Sequence, residues 1–352
     1  MNGTDSRRVV GRASPTASRG GLWARRPGRA GRAAIILAVI VLAAVTLRVT
    51  LAAAGPAPAP VVSPPSPSFA VGIRVLRLID TSRTIRLANG HSEPRTLLTY
   101  VRYPALGTPD QTDVPNAPPA RAAGPFPLIV FAHGFAVTPA IYAKLLQSWA
   151  RAGYVVAAPV FPLENANAPG GPDESDLVNE PSDVSFVISS LLSTGSAPSG
   201  ALAGLLDPAH IAVSGQSDGG ETALAVAYSR SFRDPRVTAA VVLSGARMSG
   251  VGGFSFGQGG PPLLAAQGTA DPINEPKYTY AYFKLARRPK FLLRLLGAEH
   301  LPPYTSQQPQ LGIVERVTTA FLNSYLKPLS GELQDLFFAG NVPRAAALLA
   351  EP

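Results

Sequence analysis

His210-Ile-Ala-Val-Ser-Gly-Gln-Ser217-Asp-Gly-Gly-Glu-Thr-Ala-Leu224 is the stretch that decides the fold of this chain. A β-favouring run leads into Gly215-x-Ser217-x-Gly219, and an Ala/Leu-rich helical run leads out. A strand-to-helix turn this tight strains its central residue, and glycines two before and two after remove Cβ atoms that would collide. The spacing predicts a serine hydroxyl displayed at the carboxyl end of a buried strand. The same pattern recurs at Gly253-Phe-Ser255-Phe-Gly257. There the preceding residues are no strand, and Gln-Gly-Gly-Pro-Pro behind cannot start a helix, so Ser255 reads as a loop serine.

The rest of the globular part agrees with a strand-helix rhythm. Residues 71–104 read as early antiparallel strands, and Pro104–Pro127 as a Pro/Ala-rich loop. Phe126-Pro-Leu-Ile-Val-Phe-Ala132 is a continuous apolar run, as expected of a strand buried on both faces. A helix (139–151), a strand (154–159), a polar loop (161–181) and a helix (182–194) precede the Ser217 unit. Strands 237–244 and 262–267, a helix near 276–288, a strand 290–296 and a closing helix 312–326 follow it. Alternation of this kind implies an α/β fold, a mostly parallel central sheet with helices on both faces.

A serine hydroxyl needs a base, and the base needs an acid to orient it. Of the four histidines, His300 falls just after the last strand of this series, at the same sheet edge as Ser217. His91 lies in an early turn, His210 opens the Ser217 strand at its wrong end, and His133 fits a backbone role at a strand end. Asp271 follows the strand 262–267 and reads as the acid. Glu275 is its main competitor, Asp234 precedes a strand, and Asp183 reads as a helix N-cap. The oxyanion expected in acyl transfer needs two donors: the backbone N–H of Asp218 at a helix start, and that of Phe135 after the first buried strand.

The order Ser217, Asp271, His300, with His133-Gly134-Phe135 upstream, resembles the α/β-hydrolase superfamily. More narrowly, the runs Pro181-Ser-Asp-Val-Ser-Phe-Val, Gly215-Gln-Ser-Asp-Gly-Gly, Gln267-Gly-Thr-Ala-Asp271-Pro-Ile and Gly297-Ala-Glu-His300 are similar to its dienelactone-hydrolase, platelet-activating-factor-acetylhydrolase and polyester-hydrolase branch. The resemblance implies the α/β-hydrolase fold and ester hydrolysis through an acyl-enzyme. Gln216 and Asp218 stand where polyester hydrolases commonly have His and Met, which argues against a plastic or cutin substrate. Asp218 is expected to put a negative charge at the mouth of the site and disfavour strongly anionic acyl groups. A small or lipid-like ester is the expected substrate. Acyl transfer or peptide cleavage on the same triad, or a non-catalytic tethered binding domain, are the alternatives.

The net charge of +9 is lopsided. Residues 1–54 hold nine Arg and one acid, whereas residues 55–352 hold 22 basic and 21 acidic residues. The basic residues adjoin a hydrophobic segment instead of an aromatic-studded face, which argues against nucleic acid. Ala33–Ala54, with Arg48 as its one charge, has the length of a membrane anchor behind an Arg-rich cytoplasmic tail (1–32). The competing reading is a signal peptide with core Ala33–Leu47, cleaved before Gly55. Gly55–Ser68 reads as a polyproline-type linker, 69–327 as the catalytic domain, and 328–352 as a short helical appendage. The chain has no cysteine, which excludes disulfides, a lipidated cysteine and thiolate metal sites. No metal cluster is visible and the chemistry calls for no cofactor.

Overall fold

The early strands are β1 (Ala70–Arg86), β2 (Ser92–Ala105) and β3 (Asp113–Pro115), and the core strands are β4 (Phe126–Ala132), β5 (Val155–Val160) and β6 (Leu206–Gln216). The series closes with β7 (Val237–Leu243), β8 (Leu263–Gly268), β9 (Lys290–Leu295) and β10 (Ala346–Glu351). The α-helices longer than one turn are α1 (Ala143–Arg151), α2 (Glu180–Ser196), α3 (Asp218–Tyr228), α4 (Pro276–Leu285), α5 (Gln310–Leu326) and α6 (Glu332–Gly340). The computed structural model describes residues 68–87, 89–245, 251, 256, 259–327 and 329–352. The Arg-rich tail, the apolar segment 33–54, the linker up to residue 67 and Ser255 lie outside the described residues. Among the described residues, no helix is long and apolar enough to cross a membrane.

One ten-stranded sheet runs β10-β9-β8-β7-β6-β4-β5-β2-β1-β3. Its six central strands, β5 to β9 by way of β4, are parallel, while β2 joins β5 antiparallel and β10 joins β9 antiparallel. The β4 run shows why both faces are covered. Leu128, Val130 and Ala132 pack with α2 and α3, whereas Ile129 and Phe131 pack with α1 and α5. Successive side chains of a strand point to opposite faces, so an unbroken apolar run needs a helical layer on each side.

The order also locates a crevice. From β4 the chain steps to β5 on one side, then crosses back to β6 on the other and continues outward. Strand order therefore reverses between β4 and β6, and in open α/β sheets ligands sit beyond the carboxyl ends of the strands at such a point. The residues just beyond the carboxyl ends of these two strands are His133-Gly134-Phe135 and Ser217.

Two expectations are corrected. The C-terminal appendage is more than helical: after α6, Ala346–Glu351 pairs in register with Lys290–Leu295 and extends the sheet by a strand. Within the Pro/Ala-rich loop, Asp113–Pro115 forms β3 and pairs parallel with Val71–Ile73.

Candidate active site

Ser217 takes φ 58° and ψ −123° between β6 and α3, a left-handed conformation for a residue with a side chain. The glycines on either side let the chain pack this closely. A Cβ at Gly215 would overlap the carbonyl of Gly219, and one at Gly219 would overlap the carbonyl of Ala132. The Ser217 amide donates to Leu243 O at 3.0 Å, which locks the turn to β7.

The expected partners meet at the serine. His300 Nε2 lies 2.9 Å from Ser217 Oγ, and His300 Nδ1 lies 2.8 Å from Asp271 Oδ2. All three side chains are buried. Asp271 Oδ1 accepts from the amides of Ile273 and Asn274, both at 2.9 Å, while Gln267 Nε2 donates to Oδ2 at 3.1 Å. Burial would raise the Asp271 pKa, but these bonds and the imidazole outweigh it and hold the carboxyl below its ordinary value. A carboxylate fixed in this way accepts from Nδ1–H and leaves the Nε2 lone pair for the serine proton.

The competing residues are engaged elsewhere. Glu275 is half-exposed and pairs with Lys277 at 2.6 Å. Asp234 pairs with Arg236 ahead of β7, and His210 pairs with Asp207 at 2.6 Å. His133 is fully buried and structural: Nε2 accepts from the Phe161 amide at 3.1 Å and Nδ1 donates to Gly134 O at 2.8 Å. Burial pushes its pKa down to about 4, so it stays neutral and pins the β4 end to the loop after β5. Asp183 is not an N-cap as the sequence suggests. Its carboxylate sits inside the first turn of α2 and binds the Arg95 guanidinium at 2.6 Å.

The turn after β4 comes up against Ser217: a Cβ on Gly134 would stand 3.1 Å from Ser217 Cβ. Phe135 follows Gly134 directly, and Asp218 is the first residue of α3. The segments that carry these two residues thus leave the ends of two adjacent strands, β4 and β6, next to Ser217. Asp218 itself is only 6 % exposed, with Oδ1 3.5 Å from Ser217 Oγ. Its carboxyl is buried and not at the mouth as the sequence suggests, with Glu164 of the loop after β5 beside it.

Gln216 stands out in the sequence, and the structure shows what it touches. Its Oε1 accepts from Tyr142 OH at 2.7 Å, and its Nε2 donates to His300 O at 3.2 Å. This buried amide braces the His300 loop against the segment before α1. A polar residue at the last position of a core strand, beside the serine, was the available signal. Among the described residues, no cluster of His, Cys, Asp and Glu could hold a metal ion.

Comparison with known proteins points the same way. The sequence model of the Chlorophyllase family matches residues 112–253, a span that includes the β4 turn, Ser217 and Asp218. Among solved structures, a ferulic acid esterase from Streptomyces cinnamoneus superposes with a TM-score of 0.57 at 21% identity, covering 77% of this chain and 94% of that one. No curated protein matches the sequence.

Proposed function

We propose that this member of the α/β-hydrolase superfamily is a serine carboxylester hydrolase. The observation that carries the reading is the unbroken contact chain Ser217 Oγ, His300, Asp271 at a turn with no room for a side chain at Gly215 or Gly219. Ser217 Oγ attacks the ester carbonyl as His300 Nε2 takes its proton, and Asp271 stabilises the imidazolium. The carbonyl electrons move onto oxygen, where the amides of Asp218 and Phe135 receive the charge. Collapse expels the alcohol, which takes the proton from His300 and leaves Ser217 acylated. Water, activated by the same imidazole, then releases the carboxylic acid. The Chlorophyllase-family match and the esterase neighbour support ester bonds over amides, and small or lipid-like esters are the substrates this reading favours.

The test is direct. The purified chain should react with a fluorophosphonate and hydrolyse nitrophenyl esters, with short and long acyl chains compared side by side. A chain that neither labels nor turns over any ester would falsify the reading.

The same proposal places the domain outside the cytoplasm, tethered through Ala33–Ala54 with the Arg-rich tail behind it. The expected product in the producing cell is a membrane-bound chain that retains residues before Gly55. Mass spectrometry of the mature N-terminus decides: a chain beginning at Gly55 sinks the tether and leaves secretion.

A further inference from the structure

The catalytic steps leave unexplained a set of buried carboxyl groups directly behind the nucleophile. Glu164, on the loop after β5, and Glu180, the first residue of α2, are both fully buried. Glu164 Oε1 and Oε2, Glu180 Oε1 and Asp218 Oδ2 are all buried with no N–H or hydroxyl donor reaching them, and the Glu164 carboxyl lies in interaction range of Asp218 on one side and Glu180 on the other. Thr222 Oγ1, one turn into α3, donates to Glu180 Oε2 at 2.6 Å, and Ser217 Oγ reaches Asp218 Oδ1 at 3.5 Å. The groups thus form a line from Thr222 through Glu180, Glu164 and Asp218 to the serine. Among the described residues, none of the three carboxyls forms an ion pair with a Lys or Arg side chain.

Three touching carboxyl groups out of water cannot all be ionised, because burial and mutual repulsion both favour the neutral form. They can, however, satisfy one another if protons are shared: Glu180 O–H donates to Glu164, and Glu164 O–H donates to Asp218. The charge then rests on Asp218, at the start of α3, where the free amides of a helix N-terminus favour it. The other charged and titratable groups around the line are accounted for. Asp176 and Asp183 on the α2 side are bound to Arg95, Glu221 lies on the next part of α3, Tyr142 is neutral, and His300 faces Asp218 across the serine.

We propose that Glu164 is a positioning residue of the esterase site: its proton holds Asp218 as a single carboxylate beside Ser217, and losing that proton puts a second charge behind the forming oxyanion. One charge at Asp218 suits an imidazolium at His300. A second one opposes the negative charge that attack creates on the substrate. The inference rests on Ser217 being the nucleophile of the proposed reaction. Burial, with the nearby carboxylates adding to it, pushes the Glu164 pKa up to about 8, so the change falls just above neutrality.

The experiment is a profile of kcat/KM against pH for a neutral nitrophenyl ester, run on wild type and Glu164→Gln. Glutamine keeps a donor toward Asp218 and cannot ionise. Wild type should lose about ten- to a hundredfold as pH rises through about 8, the size expected for a like charge several ångströms away in a partly screened site. The Glu164→Gln profile should run flat over that range, whatever its rate at neutral pH. A residue with a purely structural role would scale the rate equally at every pH. The idea is overturned if wild type shows no alkaline fall, or if Glu164→Gln shows the same one. Infrared titration of wild type gives a second readout that needs neither the variant nor turnover. A protonated-carboxyl band present at neutral pH should weaken as pH passes about 8, and its absence would also overturn the proposal. If no ester is turned over, the reading of Ser217 fails while the infrared result still decides the carboxyl line.

Discussion

Ser217→Ala is expected to lower kcat for a nitrophenyl ester by about 10⁴- to 10⁶-fold and to abolish fluorophosphonate labelling, with KM changed little. The argument starts from the turn. Alanine tolerates the same backbone conformation about as well as serine, and the surrounding glycines remain, so the fold should survive. What disappears is the single oxygen that His300 Nε2 can deprotonate at 2.9 Å. Water cannot take its place with the same advantage, because the effective concentration of a held nucleophile is what the turn supplies. Adding His300→Ala to Ser217→Ala should cost almost nothing further, since the two groups act as a unit. Residual rate above the uncatalysed reaction would come from the amides of Asp218 and Phe135. Retained labelling in Ser217→Ala with loss in Ser255→Ala would show that the second Gly-x-Ser-x-Gly holds the nucleophile.

Local chemistry made the site legible, and distance hid the rest. The turn at Ser217 could be read because its glycines are a steric requirement within five residues, and β4 because a strand covered on both faces must be apolar throughout. The placement of Asp271 and His300 beside Ser217 was legible because both follow strands that end at the same sheet edge. β10 was hidden because Ala346-Ala-Leu-Leu-Ala reads as a helix by intrinsic preference. Pairing with β9 overrides that preference, and nothing in the six residues announces a partner some 50 positions earlier. Asp183 looks like a cap in the sequence because its partner, Arg95, lies far away on β2. Glu164 gave no signal at all: in sequence it is one acid in a polar loop, and only the closure of α2 and α3 over that loop buries it beside Asp218.

Arg95→Ala should be the most destabilising single change outside the site, by about 3–5 kcal/mol. Arg95 is 2 % exposed and grips two carboxylates at once. Nε and Nη2 bond both oxygens of Asp183 at 2.6 Å, while Nη1 and Nη2 bond Asp176 at 3.0 and 2.7 Å. Burial alone would lower the guanidinium pKa, but the bonds to Asp183 and Asp176 drive it above its ordinary value, so the ion stays charged throughout the working pH range. Truncation leaves two buried carboxylates with Arg83, at 2.8 Å from Asp183, as the remaining cation and the Asn179 amide, at 2.7 Å from Asp176, as a neutral donor. For a domain of this size the loss corresponds to a fall in Tm of about 10 °C. Lysine should restore only part of it, because a point charge cannot serve two forks. Replacing Arg95, Asp176 and Asp183 together by apolar residues of similar size should recover most of it, because the penalty is that of unpaired charge and not of a missing bond. Thermal or urea melts of the four proteins decide the matter. An Arg95→Ala chain within 1 kcal/mol of wild type would mean that the carboxylates reach solvent or take up protons on their own. The pair also sets the start of α2, the helix that begins at Glu180. Loosening it should therefore blunt the alkaline fall in activity before it unfolds the domain, which ties the stability of the β2 hairpin to the charge behind Ser217.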